Sequence, residues 1–161
     1  MNDTVKLERR KNKNREMRDL VSSAKETCNS FFGEEFIYDE VEAMEELGLD
    51  DELIHQLVED YVIQILKAIS VFEEYIFELQ SSKDAKSKLD YTLLRELAHK
   101  NLGVARNLRI KDAEILLHDL MKKDDLEHLY ICLETLRSCA IVLKPECAFD
   151  TIKLIEIKST F

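Results

Sequence analysis

Between Arg15 and Phe32, the apolar side chains Met17, Leu20, Val21, Ala24, Cys28 and Phe31 recur at steps of three and four residues. That spacing gathers side chains on one face of an α-helix, and Gly33 is a natural stop. The stretch "EFIYDEVEAMEELG" predicts a short second helix, with Val41, Met44 and Leu47 on one face and Gly48 as its end. Asp50 or Asp51 is then placed to cap a long helix running to about Gln80 through Leu53, Leu57, Tyr61, Ile65, Ala68, Phe72, Ile76 and Leu79. "SSKDAKSK" is polar, aperiodic and reads as a loop. A helix starting near Asp90 turns Leu94, Leu97, Ala98, Ala105 and Leu108 inward. "KDAEILLHDLMKK" makes a shorter one through Ala113, Leu116, Leu117 and Leu120. The last long one carries Leu126, Leu129, Leu133, Leu136, Ala140 and Leu143, and Pro145 ends it.

These periods predict an all-α protein: an antiparallel up-down four-helix bundle with an additional N-terminal helix or helices. Its organisation reads as a basic N-terminal extension with an amphipathic helix (1–35), the bundle (36–144) and a C-terminal tail (145–161). The tail, "TIKLIEIKSTF", is rich in β-branched residues and reads either as a strand-like arm or as a loose end. Three glycines and one proline in 161 residues agree with long helices and few turns.

Charge narrows the partners. Residues 1–18 hold Lys6, Arg9, Arg10, Lys11, Lys13, Arg15 and Arg18 against Asp3, Glu8 and Glu16, about +4. With a total of −10, the remainder carries about −14. A body so acidic repels nucleic acid and anionic membrane, and the basic segment reads as a solvated helix start or frayed arm. No apolar run reaches the roughly 18–20 residues of a membrane span, and no apolar segment follows the basic residues as a signal peptide requires. The expectation is a soluble, cytoplasmic monomer. Cys28, Cys132, Cys139 and Cys147 form no Cys-x-x-Cys pair, and Cys132 and Cys139 sit among leucines as small buried thiols of a reducing compartment.

The candidate chemistry lies in "LAHKNLGVARNL", residues 97–108. His99 falls off the apolar stripe of its helix by roughly 100° to 200° of rotation, on a face shared with Thr92, Arg95, Glu96, Gly103 and Arg106. A mid-helix glycine costs about 1 kcal/mol against alanine. Nothing on a solvated face demands it unless another molecule must come close to the backbone there.

The run "AHKNLGVARNL" resembles the signature of histidine-containing phosphotransfer (Hpt) domains, with His99, Gly103 and Ala105 at matching positions and Leu108 where a hydrophobic residue is usual. The likeness extends over about residues 38–143. "EELGLDDELIHQLVEDYVIQIL" is similar to the family's entry into its first long helix, and "AEILLHDLMKKDDLEHLYICLETL" to its last two helices. The resemblance implies a phosphocarrier without turnover of its own, which passes a phosphoryl group between the aspartates of receiver domains in a two-component phosphorelay. His99 would be the phosphoacceptor, reacting through Nε2. Gly103 would let the partner approach, and Lys100, Arg106 or Arg95 would steady the phosphate charge. The partners implied are a response-regulator receiver domain and/or a hybrid histidine kinase. No cofactor is implied for this chain itself, with Mg²⁺ expected on the receiver. Two positions depart from the pattern. Leu102 stands where the family usually has lysine, and Asn101, on the inward stripe, stands where it has leucine.

A metal site is the competing chemistry, since Glu52-x-x-His55 and Glu96-x-x-His99 both match pairs used in di-metal bundles. Folding back near Ala85 would leave the two histidines roughly 24 Å apart along the axis, too far to share an ion. His118 and His128 read as lone surface histidines. The remaining alternative is a receiver-binding or helical adaptor module without phosphotransfer.

Overall fold

The computed structural model describes residues 2–159, and the last two positions of the predicted tail, 160 and 161, lie outside the described residues. Among the described residues the protein is all-helical, with seven helices and no strand: α1 (Asp3–Phe32), α2 (Glu40–Leu47), α3 (Asp51–Asp84), α4 (Thr92–Asn107), α5 (Lys111–Lys122), α6 (Leu126–Leu143) and α7 (Pro145–Ser159).

Short polar side chains start most of these helices. Asn2, Asp39, Asp50 and Asp125 each accept a hydrogen bond from a backbone N–H of the first turn of α1, α2, α3 and α6, satisfying donors that a helix leaves unpaired. Gly33 and Gly48 close α1 and α2 in the left-handed conformation, at φ 71° and 67°, which a residue with a Cβ adopts only at a cost.

One apolar core joins the helices. Ile54, Val58, Ile65, Ile69 and Phe72 from α3 meet Leu94 and Ala98 from α4, Leu116, Leu117 and Leu120 from α5, and Leu129, Leu133 and Leu136 from α6. Helix α4 packs on α3 and α5, and α6 packs on α1, α3 and α5. Helices α4 and α5 run in opposite directions. Arg95 reaches the end of α5 while Arg106 meets Glu114 near its start. Asp119 of α5 pairs with His128 of α6, and Arg137 of α6 bonds Glu73 of α3. Along α1, Phe31 lies by His128 and Cys28 by Cys139, and Lys13 then reaches Glu146 and Asp150 on α7.

Four details depart from the sequence reading. Helix α1 starts at Asp3 rather than near Arg15. The segment 3–14 has almost no apolar residues and so no stripe, but its Lys, Arg and Glu side chains favour helix, and Asn2 caps it through Val5 N at 3.0 Å. In α2 it is Ala43 that is buried, while Met44 and Leu47 are only half-buried and Val41 is 61% exposed. Helix α3 runs on to Asp84 through residues read as loop; its stripe is buried as read from Tyr61 to Leu79, but in the first turns Ile54 and Val58 are enclosed while Leu53 is exposed. The β-branched tail is neither strand nor loose. Residues 145–159 form α7, with Pro145 at the first helical position, where its missing N–H is not needed, and with Ala148, Phe149 and Thr151 buried. Packing on α3 and α6 outweighs the modest helix preference of Thr151, Ile152, Ile155 and Ile157.

Candidate functional site

Helix α4 is fastened at both ends and bare along its outer face. At its start the Asp90 carboxylate accepts from the Thr92 N–H at 3.0 Å and from the Thr92 hydroxyl at 2.6 Å, and these bonds hold its pKa below the usual aspartate value. The Tyr91 hydroxyl donates to the Asp124 carbonyl at 3.0 Å. Arg95 stacks over the Tyr91 ring at 4.6 Å and donates through Nη1 to the Leu120 carbonyl at 2.7 Å, capping the end of α5.

At its other end the Tyr38 hydroxyl donates to the Leu108 carbonyl at 2.8 Å, with burial raising that phenol's pKa to about 12. Arg109, at φ 64°, folds back so that its Nη1 donates to the carbonyls of Arg106 and Asn107, while its Nε donates to Glu46 of α2 at 2.6 Å. The guanidinium holds the Glu46 carboxyl below its ordinary range.

Between these anchors the inner face is closed by Leu94, Ala98, Leu102 and Ala105. Asn101 is also buried and donates through Nδ2 to the Leu97 carbonyl one turn back, at 2.9 Å, so its amide is not left without a partner. Leu102 is only 4% exposed. The position at which the resemblance implies a lysine is therefore part of the core.

The outer face is what remains. His99, Lys100, Gly103 and Arg106 are all exposed. The His99 imidazole makes no hydrogen bond or ion pair with any described residue. A Cβ built on Gly103 meets nothing within 4 Å, and its φ is not in the left-handed region. Neither packing nor backbone geometry thus asks for glycine one turn beyond the histidine. Arg106 is loosely tied, 3.6 Å from Glu114 with 63% of its side chain exposed, whereas Arg95 is half-buried and occupied at the end of α5. The cations left to the outer face are Lys100 and Arg106.

The other histidines differ. His118 is exposed. His128, expected as a lone surface residue, is instead half-buried between helices: its Nε2 lies 2.9 Å from Asp119 Oδ2 and 3.5 Å from Cys132 Sγ, with the Phe31 ring beside it. His55 pairs with Glu40 at 2.8 Å and lies 3.7 Å from Asp51. Among the described residues two groups of side chains converge closely enough to hold an ion, Asp119–His128–Cys132 and Glu40–Asp51–His55, and neither includes His99. The two Glu-x-x-His pairs do not come together in them.

The residues that fasten α4, namely Tyr38, Tyr91, Arg95 and Arg109, were not singled out as anchors from the sequence. The one available signal was Arg95, a long cation one turn before the histidine, where its partner could not be read. No helix among the described residues is long and apolar enough to cross a membrane. In comparisons with known proteins, no family model matches the chain, and no curated protein or solved structure is significantly similar to it.

Proposed function

We propose that this protein is a histidine phosphocarrier of the Hpt type, in which His99 accepts a phosphoryl group from the aspartyl phosphate of a receiver domain and passes it to another. The observation that carries the reading is the outer face of α4: an imidazole with no partner among the described residues, next to a glycine that neither packing nor φ requires, on a helix held at both ends.

The chemistry asks little of the chain. A neutral imidazole offers a nucleophilic ring nitrogen. His99 Nε2 attacks phosphorus in line and the aspartyl oxygen leaves. The receiver supplies the Mg²⁺ and the acidic pocket. Transfer depends on positioning and on stabilising charge on the equatorial oxygens. Gly103 lets the receiver's backbone approach the helix, and Lys100 and Arg106 meet phosphate charge, Arg106 with the forked geometry suited to two oxygens. No cofactor of its own is required.

The helix order favours an antiparallel up-down four-helix bundle of α3, α4, α5 and α6. Each packs on the next and α6 packs back on α3, and the contacts of Arg95 with Leu120 and of Arg106 with Glu114 set α4 and α5 in opposite senses. In this reading residues 36–144 are the phosphotransfer module, 1–35 an added helix and 145–161 a covering segment. The protein works as a cytoplasmic monomer whose partners are receiver domains or a hybrid histidine kinase.

The test is to mix the full chain with a receiver charged by acetyl phosphate. Acid-labile, alkali-stable label on wild type, absent from His99→Gln, supports the carrier. One observation favours the alternative of a receiver-binding module without transfer, namely Leu102 in the core where the family has a lysine. Receiver binding with no label on His99 would establish that alternative.

A further inference from the structure

The sulfur atoms of Cys28 on α1 and Cys139 on α6 lie 3.5 Å apart, although 111 residues separate them in the chain. Both are free thiols. Asp112, at the start of α5, stands beside both. Asp112 and Cys139 line a cleft of about 440 Å³, and Asp112 and Cys28 line a smaller one beside it. A disulfide needs a sulfur separation near 2.05 Å, so each side chain must give less than about 1 Å.

The two thiols are not equivalent. Cys28 is half-buried and reachable from the smaller cleft, whereas Cys139 is 5% exposed. A hydrogen bond from Cys139 favours the Cys28 thiolate and lowers its pKa, while that bond, burial and the neighbouring Asp112 carboxylate hold Cys139 protonated. The other two cysteines lack this arrangement. Cys132 is fully enclosed with its pKa raised to about 12 by burial, and the Cys147 pKa is raised for the same reason. Thiolate character and access decide which cysteine an oxidant attacks.

From this geometry we infer that Cys28 and Cys139 form an oxidisable dithiol that a small peroxide closes into a disulfide fastening α1 to α6. The Cys28 thiolate attacks one peroxide oxygen, the O–O bond breaks, and with one proton taken up the products are Cys28 sulfenic acid and water. Cys139 sulfur then attacks the sulfenic sulfur. The S–S bond forms as the S–O bond breaks, and the Cys139 proton leaves with the hydroxide as a second water. Overall two thiols and one hydrogen peroxide give one disulfide and two waters. The inference is independent of His99 and of phosphotransfer.

The experiment uses the full chain, reduced and desalted, then exposed to hydrogen peroxide. Remaining thiols are capped with N-ethylmaleimide, and intact mass and tryptic peptides are read without reductant. The expected result is a Cys28–Cys139 cross-linked peptide with Cys132 and Cys147 capped, reversed by dithiothreitol. The oxidised protein should melt roughly 5–15 °C higher than the reduced form. Cys139→Ser treated with peroxide and dimedone should carry the adduct on Cys28. Wild-type Cys28 and Cys139 that stay capped, a Cys28 that runs on to sulfinic acid, or a Cys28–Cys147 pair would each overturn the inference. So would a cross-linked form that fails to melt higher, because the bridge would then have been made by a distorted chain. The wild-type peptide map needs no variant to fold.

Discussion

His99 and His128 are the same side chain on two helices of one core, with opposite surroundings. The His128 Nε2 faces Asp119 across the α5–α6 turn, with Cys132 a helical turn further on and Phe31 against the ring. The His99 ring has a bare glycine a turn further on, and no described residue bonds it. A ring nitrogen engaged by a carboxylate serves to hold two helices together, while one left in water is available to react. The difference comes from what stands across from the ring and four residues later, not from the histidine itself.

That contrast can be broken most directly at the histidines. His99→Gln should abolish transfer of label from a charged receiver, while His128→Ala should keep it, both read by autoradiography of the full chain. Loss of label in both would mean that His99 is not special. Gly103→Leu comes next. With open space around its Cβ position the variant should fold, yet transfer should slow at least about tenfold because the approach to the ring is blocked. Gly103→Ala should raise stability by about 1 kcal/mol in urea unfolding. A Gly103→Leu that transfers at the wild-type rate would remove the reason given for the glycine.

His128→Ala should destabilise by about 1–3 kcal/mol, since Asp119 loses its partner in a half-buried place, whereas His99→Gln should change unfolding by no more than about 0.5 kcal/mol. Equal losses would contradict the two roles.

The smallest effect concerns Asp112. Burial raises its carboxyl pKa above the usual aspartate value, with bonds from Cys139 and the Ala113 N–H pulling the other way. The folded state then holds this proton more tightly than the unfolded chain. Its contribution is complete below the ordinary carboxyl pKa and is lost as pH rises through the raised value. Asp112→Asn should therefore gain on wild type, by a fraction of the total stability, as pH goes from about 4 to 7. A gap that narrows over that range would show the carboxyl to be stabilised as the anion.

Much of α4 to α6 could be read from leucine spacing, because Leu94, Leu116, Leu117, Leu120, Leu129, Leu133 and Leu136 all fall on buried faces. The exposure of His99 followed from the same arithmetic. Helix starts without an apolar stripe could not be read that way: Asp3 to Asn14 is helical through propensity and a cap. Nor could α7, whose β-branched residues are overruled by contacts with helices far away in sequence. The anchors of α4 were hidden for a related reason. Tyr38 is 70 residues from the Leu108 carbonyl, and Arg95 is 25 from that of Leu120, and a chain read locally has no way to pair them. The Cys28–Cys139 contact was out of reach on the same ground.

Helix α1 has one consequence beyond its own packing. It lies along α6 through Cys28 and Phe31, passes the interruption at Lys144 and Pro145, and continues beside α7 through Lys13 and Glu16, which pair with Glu146, Asp150 and Lys153. It therefore acts as a splint across a joint. Removing this strut takes away one of the three surfaces that hold α7, so amide exchange over 145–159 should quicken when 1–33 are cut away, although the two segments are far apart in sequence.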